Sequence, residues 1–124
     1  MLSTFLRSSI TILCLVSSFK VHSQTLDSVY SALVQSEIKH PQIVLKQVKL
    51  ETGNLKCSKC SQDYNNLFGF FYKGAYLKFD TWEESVAYYK RWQDKYYKGG
   101  DYYQFLINIG YATDKNYINK LKQL

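Results

Sequence analysis

Glu51 is the residue whose type and setting most invite chemistry. In residues 43–53, IVLKQVKLETG, a pitch of about 100° per residue puts Ile43, Val44, Gln47 and Val48 on one face, with Glu51 near its middle. Lys46 and Lys49 point the other way. A carboxylate on an apolar face is costly to bury unless it is paired or has a task. Gly53 stands where a helix ends in a left-handed residue. Glu51 is therefore expected in the last turn, near the negative end of the helix dipole. Desolvation and the dipole both raise a carboxyl pKa, which suits a general acid at neutral pH. The competing reading is a Glu that ends the helix and bends into solvent.

Cys57 and Cys60, in KCSKC, are the second pair that could do chemistry. In an exported chain this spacing is most simply a short disulfide clipping a loop. A thioredoxin-like site would need the pair to open a helix after a strand, and here it follows a helix end. Zinc would need two further ligands, and the histidines are His22 and His40 alone. No metal and no cofactor is expected.

The elements that must position these groups begin after a leader. Residues 1–23 carry Arg7, an apolar run from Ile10 to Val16, and Ser23 two places after Val21. This is signal-peptide layout with cleavage after Ser23, and the run is too short to span a bilayer. Ile12 and Leu13 stand where a lipoprotein signal needs small residues before Cys14. The expected domains are thus a signal segment, 1–23, and one domain, 24–124. The product is expected in the periplasm, the cell envelope or outside the cell, as a monomer without stable membrane insertion. The net charge is +6, and loss of Arg7 and Lys20 lowers it to +4. A basic envelope protein suits an anionic partner such as a wall polymer. The lysines are scattered rather than clustered, so nucleic acid is not expected. The 12 Tyr, 7 Phe and 2 Trp fit either a compact core or a sugar-stacking groove.

Apolar spacing predicts a helix over 26–38 (Leu26, Val29, Tyr30, Leu33, Val34) and a second after Pro41 that carries Glu51. Residues 54–66 read as a polar loop. Two aromatic runs around Lys73-Gly74 within 67–79 read as a short hairpin. Thr81 and Glu84 form a capping-box pattern for a helix to about 96, with Trp82, Val86, Tyr89 and Trp92 inward. Asp101 caps a helix that Gly110 stops. Thr113 or Asp114 is expected to cap the last helix, whose apolar face is Tyr117, Ile118, Leu121 and Leu124. The class is α+β, mainly α.

Four collinear blocks, LETG, NNLFGF, FDTWEESVAYY and GYATDKNYINKL, resemble the bacterial glucosaminidase family of peptidoglycan hydrolases, the lysozyme-like group seen in autolysins and flagellar wall-cutting domains. The resemblance covers about residues 41–121. It implies a lysozyme-like fold with helices around a cleft, and an endo-β-N-acetylglucosaminidase that cuts the β-1,4 bond after N-acetylglucosamine in peptidoglycan glycan strands. Glu51 matches the family's catalytic acid. Asn66, Phe68 and Gly69 match the block lining the cleft floor, Tyr72 lies in the hairpin beyond it, and Tyr111 and Tyr117 match tyrosines that face the cleft.

The chain departs from the pattern in one chemically important place. Many members carry a second Glu in the hairpin, and residues 69–79 contain no Asp or Glu. The usual two-carboxylate arrangement is then incomplete. Asp63 and Asp80 are the candidates for a second acid, although Asp80 equally serves as a charge at a helix start and Asp63 as a turn residue. A substrate-assisted route, in which the sugar's 2-acetamido oxygen attacks the anomeric carbon, needs only the acid. Tyr111 or Tyr117 would then hold the acetamido group, and packing is the competing role for both. An inactive relative that only binds wall or scaffolds the envelope is the alternative function.

Overall fold

A computed structural model describes residues 23–124, so the expected leader, apart from Ser23, lies outside the described residues. Five helices follow in order: α1 (Leu26–Gln35), α2 (Pro41–Thr52), α3 (Trp82–Tyr96), α4 (Tyr102–Ile109) and α5 (Tyr117–Lys122). A 3-10 turn, Ser61–Tyr64, and the strands β1 (Phe71–Tyr72) and β2 (Ala75–Tyr76) lie between α2 and α3. Among the described residues the fold is mainly helical with one two-stranded antiparallel hairpin, an arrangement consistent with the lysozyme-like α+β class. Among the described residues no helix is long and apolar enough to cross a membrane.

α1 stops at Gln35, short of the expected end, although Ile38 is still buried in the core. The chain then turns sharply at His40, whose φ is 53°. That conformation is disfavoured for a residue before proline. His40 is held there by a 2.9 Å hydrogen bond between Nε2 and the Tyr97 hydroxyl and by stacking on the Tyr102 ring at 5.1 Å. Pro41 opens α2 at its first turn, and Gly53 closes it with φ +54°. α2 packs on α1 and α5, so Val44 and Val48 are fully buried.

Lys73 and Gly74 both have positive φ, as a two-residue hairpin turn requires. The paired strands are only two residues each, with Phe71 opposite Tyr76. Asn66 supports the hairpin base: its Nδ2 donates to the Phe70 and Leu77 carbonyls at 2.8 and 3.1 Å, and its Oδ1 accepts from the Phe70 N–H at 3.1 Å. These backbone groups are part-buried, and leaving one unpaired would cost up to about 1–3 kcal/mol, which explains an amide at a fully buried position.

Thr81 caps α3 by accepting from the Glu84 N–H. Glu84 reaches back one residue further than the capping box predicts, to the Asp80 N–H at 3.0 Å. Asp101 and Gly110 bound α4 as expected. α5 is different: Asn116 occupies the cap position, and Asp114 instead accepts from the Asn116 N–H and pairs with Lys120. Leu124 lies past the helix and is exposed.

Cys57 and Cys60 are joined by a disulfide beside the end of α2. The loop it closes is short, so chain entropy gives it a modest effect of about 2 kcal/mol at most. Replacing both by Ser should lower the Tm by a few degrees and leave turnover unchanged. Loss of turnover at an unchanged Tm would point to redox chemistry or metal binding at this pair.

Candidate active site

The last turn of α2 delivers Glu51 against the backbone of Gly69. A Cβ added to Gly69 would sit 2.5 Å from Glu51 Oε2 and 2.9 Å from its Cδ. The carboxylate thus occupies space that any other residue at 69 would fill, and the φ of +68° at Gly69 also favours glycine. Glu51 itself is half-buried. Burial pushes its carboxyl pKa up to about 6, and the Tyr117 hydroxyl, donating toward the carboxylate, pulls it part of the way back.

Two tyrosines stand over this carboxyl. Tyr117 comes from the first turn of α5 and Tyr111 from the segment after Gly110. Their rings stack at 5.7 Å with 27° between planes. Burial, with Glu51 nearby, raises both phenol pKa values far above the ordinary range, so both keep their protons. The Tyr111 hydroxyl donates to the Phe68 carbonyl. Its proton is thereby committed, and its remaining lone pairs can only accept.

Gly69 is also one wall of a cavity of about 210 Å³, completed by Phe70, Phe71, Trp92, Ile109, Gly110 and Tyr111. Trp92 packs edge-on to Tyr111 at 5.5 Å and to Phe70 at 5.9 Å. An aromatic-walled cavity suits the apolar face of a sugar ring. Glu51 is not itself one of its walls; its carboxylate lies against Gly69, which is, and an acid so placed can protonate a glycosidic oxygen.

A model of the glucosaminidase family, described as mannosyl-glycoprotein endo-beta-N-acetylglucosaminidase, matches residues 27–124. The chain belongs to the glucosaminidase family. Comparison with curated proteins and with solved structures finds no match. The family match supports glycan hydrolysis and glycan binding in the broad sense.

The glucosaminidase blocks do not all present side chains to the cavity. Asn66 and Phe68 are fully buried, and Phe68 packs on Tyr89 at 4.6 Å. Direct sugar contact, expected of both from their block, gives way to a positioning role: Asn66 braces the hairpin, and the Phe68 carbonyl orients Tyr111. Gly69 contributes backbone. Tyr72 is 63% exposed on the hairpin and outside the cavity wall, where Lys73 lies over its ring.

Asp63 and Asp80 are both exposed. Asp63 lies in the 3-10 turn. The backbone of Asp80 is tied at both ends, its N–H to Glu84 and its carbonyl to the Asn65 amide at 3.1 Å. These are the turn and helix-start placements that compete with catalysis. The hairpin aromatics Phe70 and Phe71 were expected to shape a sugar subsite and both line the cavity, whereas the sequence did not mark Ile109 or Gly110 as its walls. It placed Gln47 on the apolar stripe, and Gln47 is fully buried in the network behind Tyr117.

Proposed function

We propose that the protein is an exported peptidoglycan hydrolase that cuts the β-1,4 bond after N-acetylglucosamine, with Glu51 as its general acid. The observation that carries the reading is the half-buried Glu51 carboxyl, with a pKa raised to about 6, held between the Gly69 backbone and the Tyr117 hydroxyl beside an aromatic cavity. The basic charge, +6 over the whole chain and +4 without Arg7 and Lys20 of the leader, favours the anionic wall over the glycoprotein substrate in the family's description.

Hydrolysis proceeds in two steps on this reading. The acetamido oxygen forms a bond to the anomeric carbon as the C–O bond to the leaving sugar breaks, and the leaving oxygen takes the Glu51 proton. The positive charge resides on the resulting oxazolinium ring. Water then attacks the anomeric carbon, gives its proton to the Glu51 carboxylate, and reopens the ring. Tyr111, able only to accept, suits the acetamido N–H. Tyr117 supports the carboxylate in both steps.

Mass spectrometry of digested wall, with mannosyl glycoprotein as the second substrate, tests the assignment. Wall fragments ending in reducing N-acetylglucosamine are expected. Fragments ending in reducing N-acetylmuramic acid, or release from the glycoprotein alone, would overturn the substrate or bond. Binding to wall without cleavage would identify an inactive relative.

The substrate-assisted step has its own test. Two inversions at one carbon restore the starting configuration, so proton NMR should show the β anomer first. Asp63→Asn and Asp80→Asn should each lose far less than the roughly 10²–10⁴-fold expected of an acid–base group. An α anomer, or collapse of turnover in either folded variant, would establish a second catalytic carboxylate or water-activating base.

A further inference from the structure

Behind the site, five buried polar side chains form a continuous line through the core. Gln93, on α3, is anchored to backbone: its Oε1 accepts from the Lys39 N–H at 2.7 Å, and its Nε2 donates to the Lys39 carbonyl at 2.9 Å. A backbone N–H can only donate and a carbonyl only accept, so the Gln93 amide has one orientation. The second Nε2 hydrogen goes to the Tyr102 hydroxyl at 3.0 Å. Tyr102 meets the Tyr89 hydroxyl, Tyr89 meets Gln47 Oε1, and Gln47 Nε2 meets the Tyr117 hydroxyl at 3.4 Å. All five side chains are buried, Tyr117 being the most exposed at 7%.

The proton order along this line has one self-consistent solution. Tyr102 receives a proton from Gln93 and gives its own to Tyr89. Tyr89 gives its own to Gln47 Oε1. The Gln47 amide then donates to Tyr117, whose hydroxyl proton is left for Glu51. Reversing the Gln47 amide would send the Tyr89 proton back to Tyr102 and strand the Tyr102 proton in the core. A stranded buried donor costs about 1–3 kcal/mol, and among the described residues the unpartnered buried side-chain atom is Gln24 Nε2, far from this line in the chain.

We propose that the line from the Lys39 backbone through Gln93, Tyr102, Tyr89 and Gln47 is a one-directional hydrogen-bond relay that aims the Tyr117 proton at Glu51 and favours the Glu51 carboxylate. Gln47, Tyr89, Tyr102 and Gln93 are positioning residues. The relay rests on the reading of Glu51 as the acid, because it serves a group that must give up and regain a proton. The titratable groups facing Glu51 are Tyr111 and Tyr117. Tyr111 spends its proton on Phe68, so Tyr117 is the tyrosine able to donate. A chain of polarised hydrogen bonds strengthens its last member, so breaking it at a distance should be felt at Glu51.

A 13C NMR titration of the Glu51 side-chain carboxyl tests the relay. In Gln47→Met the midpoint should rise by roughly 0.5 pH unit, the scale of one weakened hydrogen bond. Tyr102→Phe, which deletes one hydroxyl four hydrogen bonds from Glu51, should raise it by a smaller, resolvable amount. Phe105→Leu is the control: its ring packs on Tyr102 at 5.3 Å and carries no hydroxyl, and the midpoint should stay at the wild-type value. An unchanged midpoint in Tyr102→Phe, or an equal shift in Phe105→Leu, would reduce the line to core packing. If Gln47→Met does not fold, Tyr102→Phe and Phe105→Leu decide alone. The titration reads Glu51 whether or not it catalyses, whereas an active Glu51→Gln variant would remove the acid assignment itself.

Discussion

Glu51→Gln should abolish turnover and make the folded protein more stable above pH 6. Loss of the sole acid is expected to cost at least the 10²–10⁴-fold attributed to one acid–base group. The stability effect follows from the same burial. The folded protein holds the Glu51 proton with a pKa of about 6 against a reference of 4.5. Between those values the folded state binds more protons than the unfolded state, so stability falls as pH rises through the window and stays lower above it. A shift of this size corresponds to at most about 2 kcal/mol. Gln carries no charge to desolvate, so the variant should have the higher Tm at pH 8 and show no such gain at pH 4. A variant less stable than wild type at pH 8 would mean that the Glu51 carboxylate is a structural ion.

Gly69→Ala should have the second largest effect. The new methyl would meet Oε2 at 2.5 Å on a backbone at φ +68°. Either Glu51 swings away or the loop after Phe68 moves, and that loop also anchors Tyr111. Misplacing an acid by about 1 Å can cost on the order of 10²-fold. The expected result is a fall in kcat of that order with most wall binding retained, because the aromatic cavity walls remain. Normal kcat in Gly69→Ala would show that Glu51 does not work from this position.

Much of the fold was readable because its signals are local. Pro41 and Gly53 bracket α2, Asp101 and Gly110 bracket α4, and the Lys73-Gly74 turn makes the hairpin. Each depends on residues within a few positions of one another. The position of Glu51 on a mostly buried face was likewise set by helix periodicity. The harder features depend on distance. Asn66 and Phe68 sit in the expected block, but a block gives no side-chain direction, and both turn inward. Gln93 reads as one more polar residue on α3 until the fold brings it to Lys39, 54 positions away. Asp114 failed as a helix cap because a nearer N–H, that of Asn116, and the Lys120 ammonium compete for its carboxylate.

The pH dependence of kcat/KM tests the central claim most directly. A general acid must enter the reaction protonated, and kcat/KM reports the pKa of the free enzyme. On wall substrate the rate should decline with rising pH about a midpoint near 6, the value to which burial raises Glu51. A kcat/KM that stays flat from pH 5 to pH 8 on the same substrate would contradict Glu51 as the proton donor.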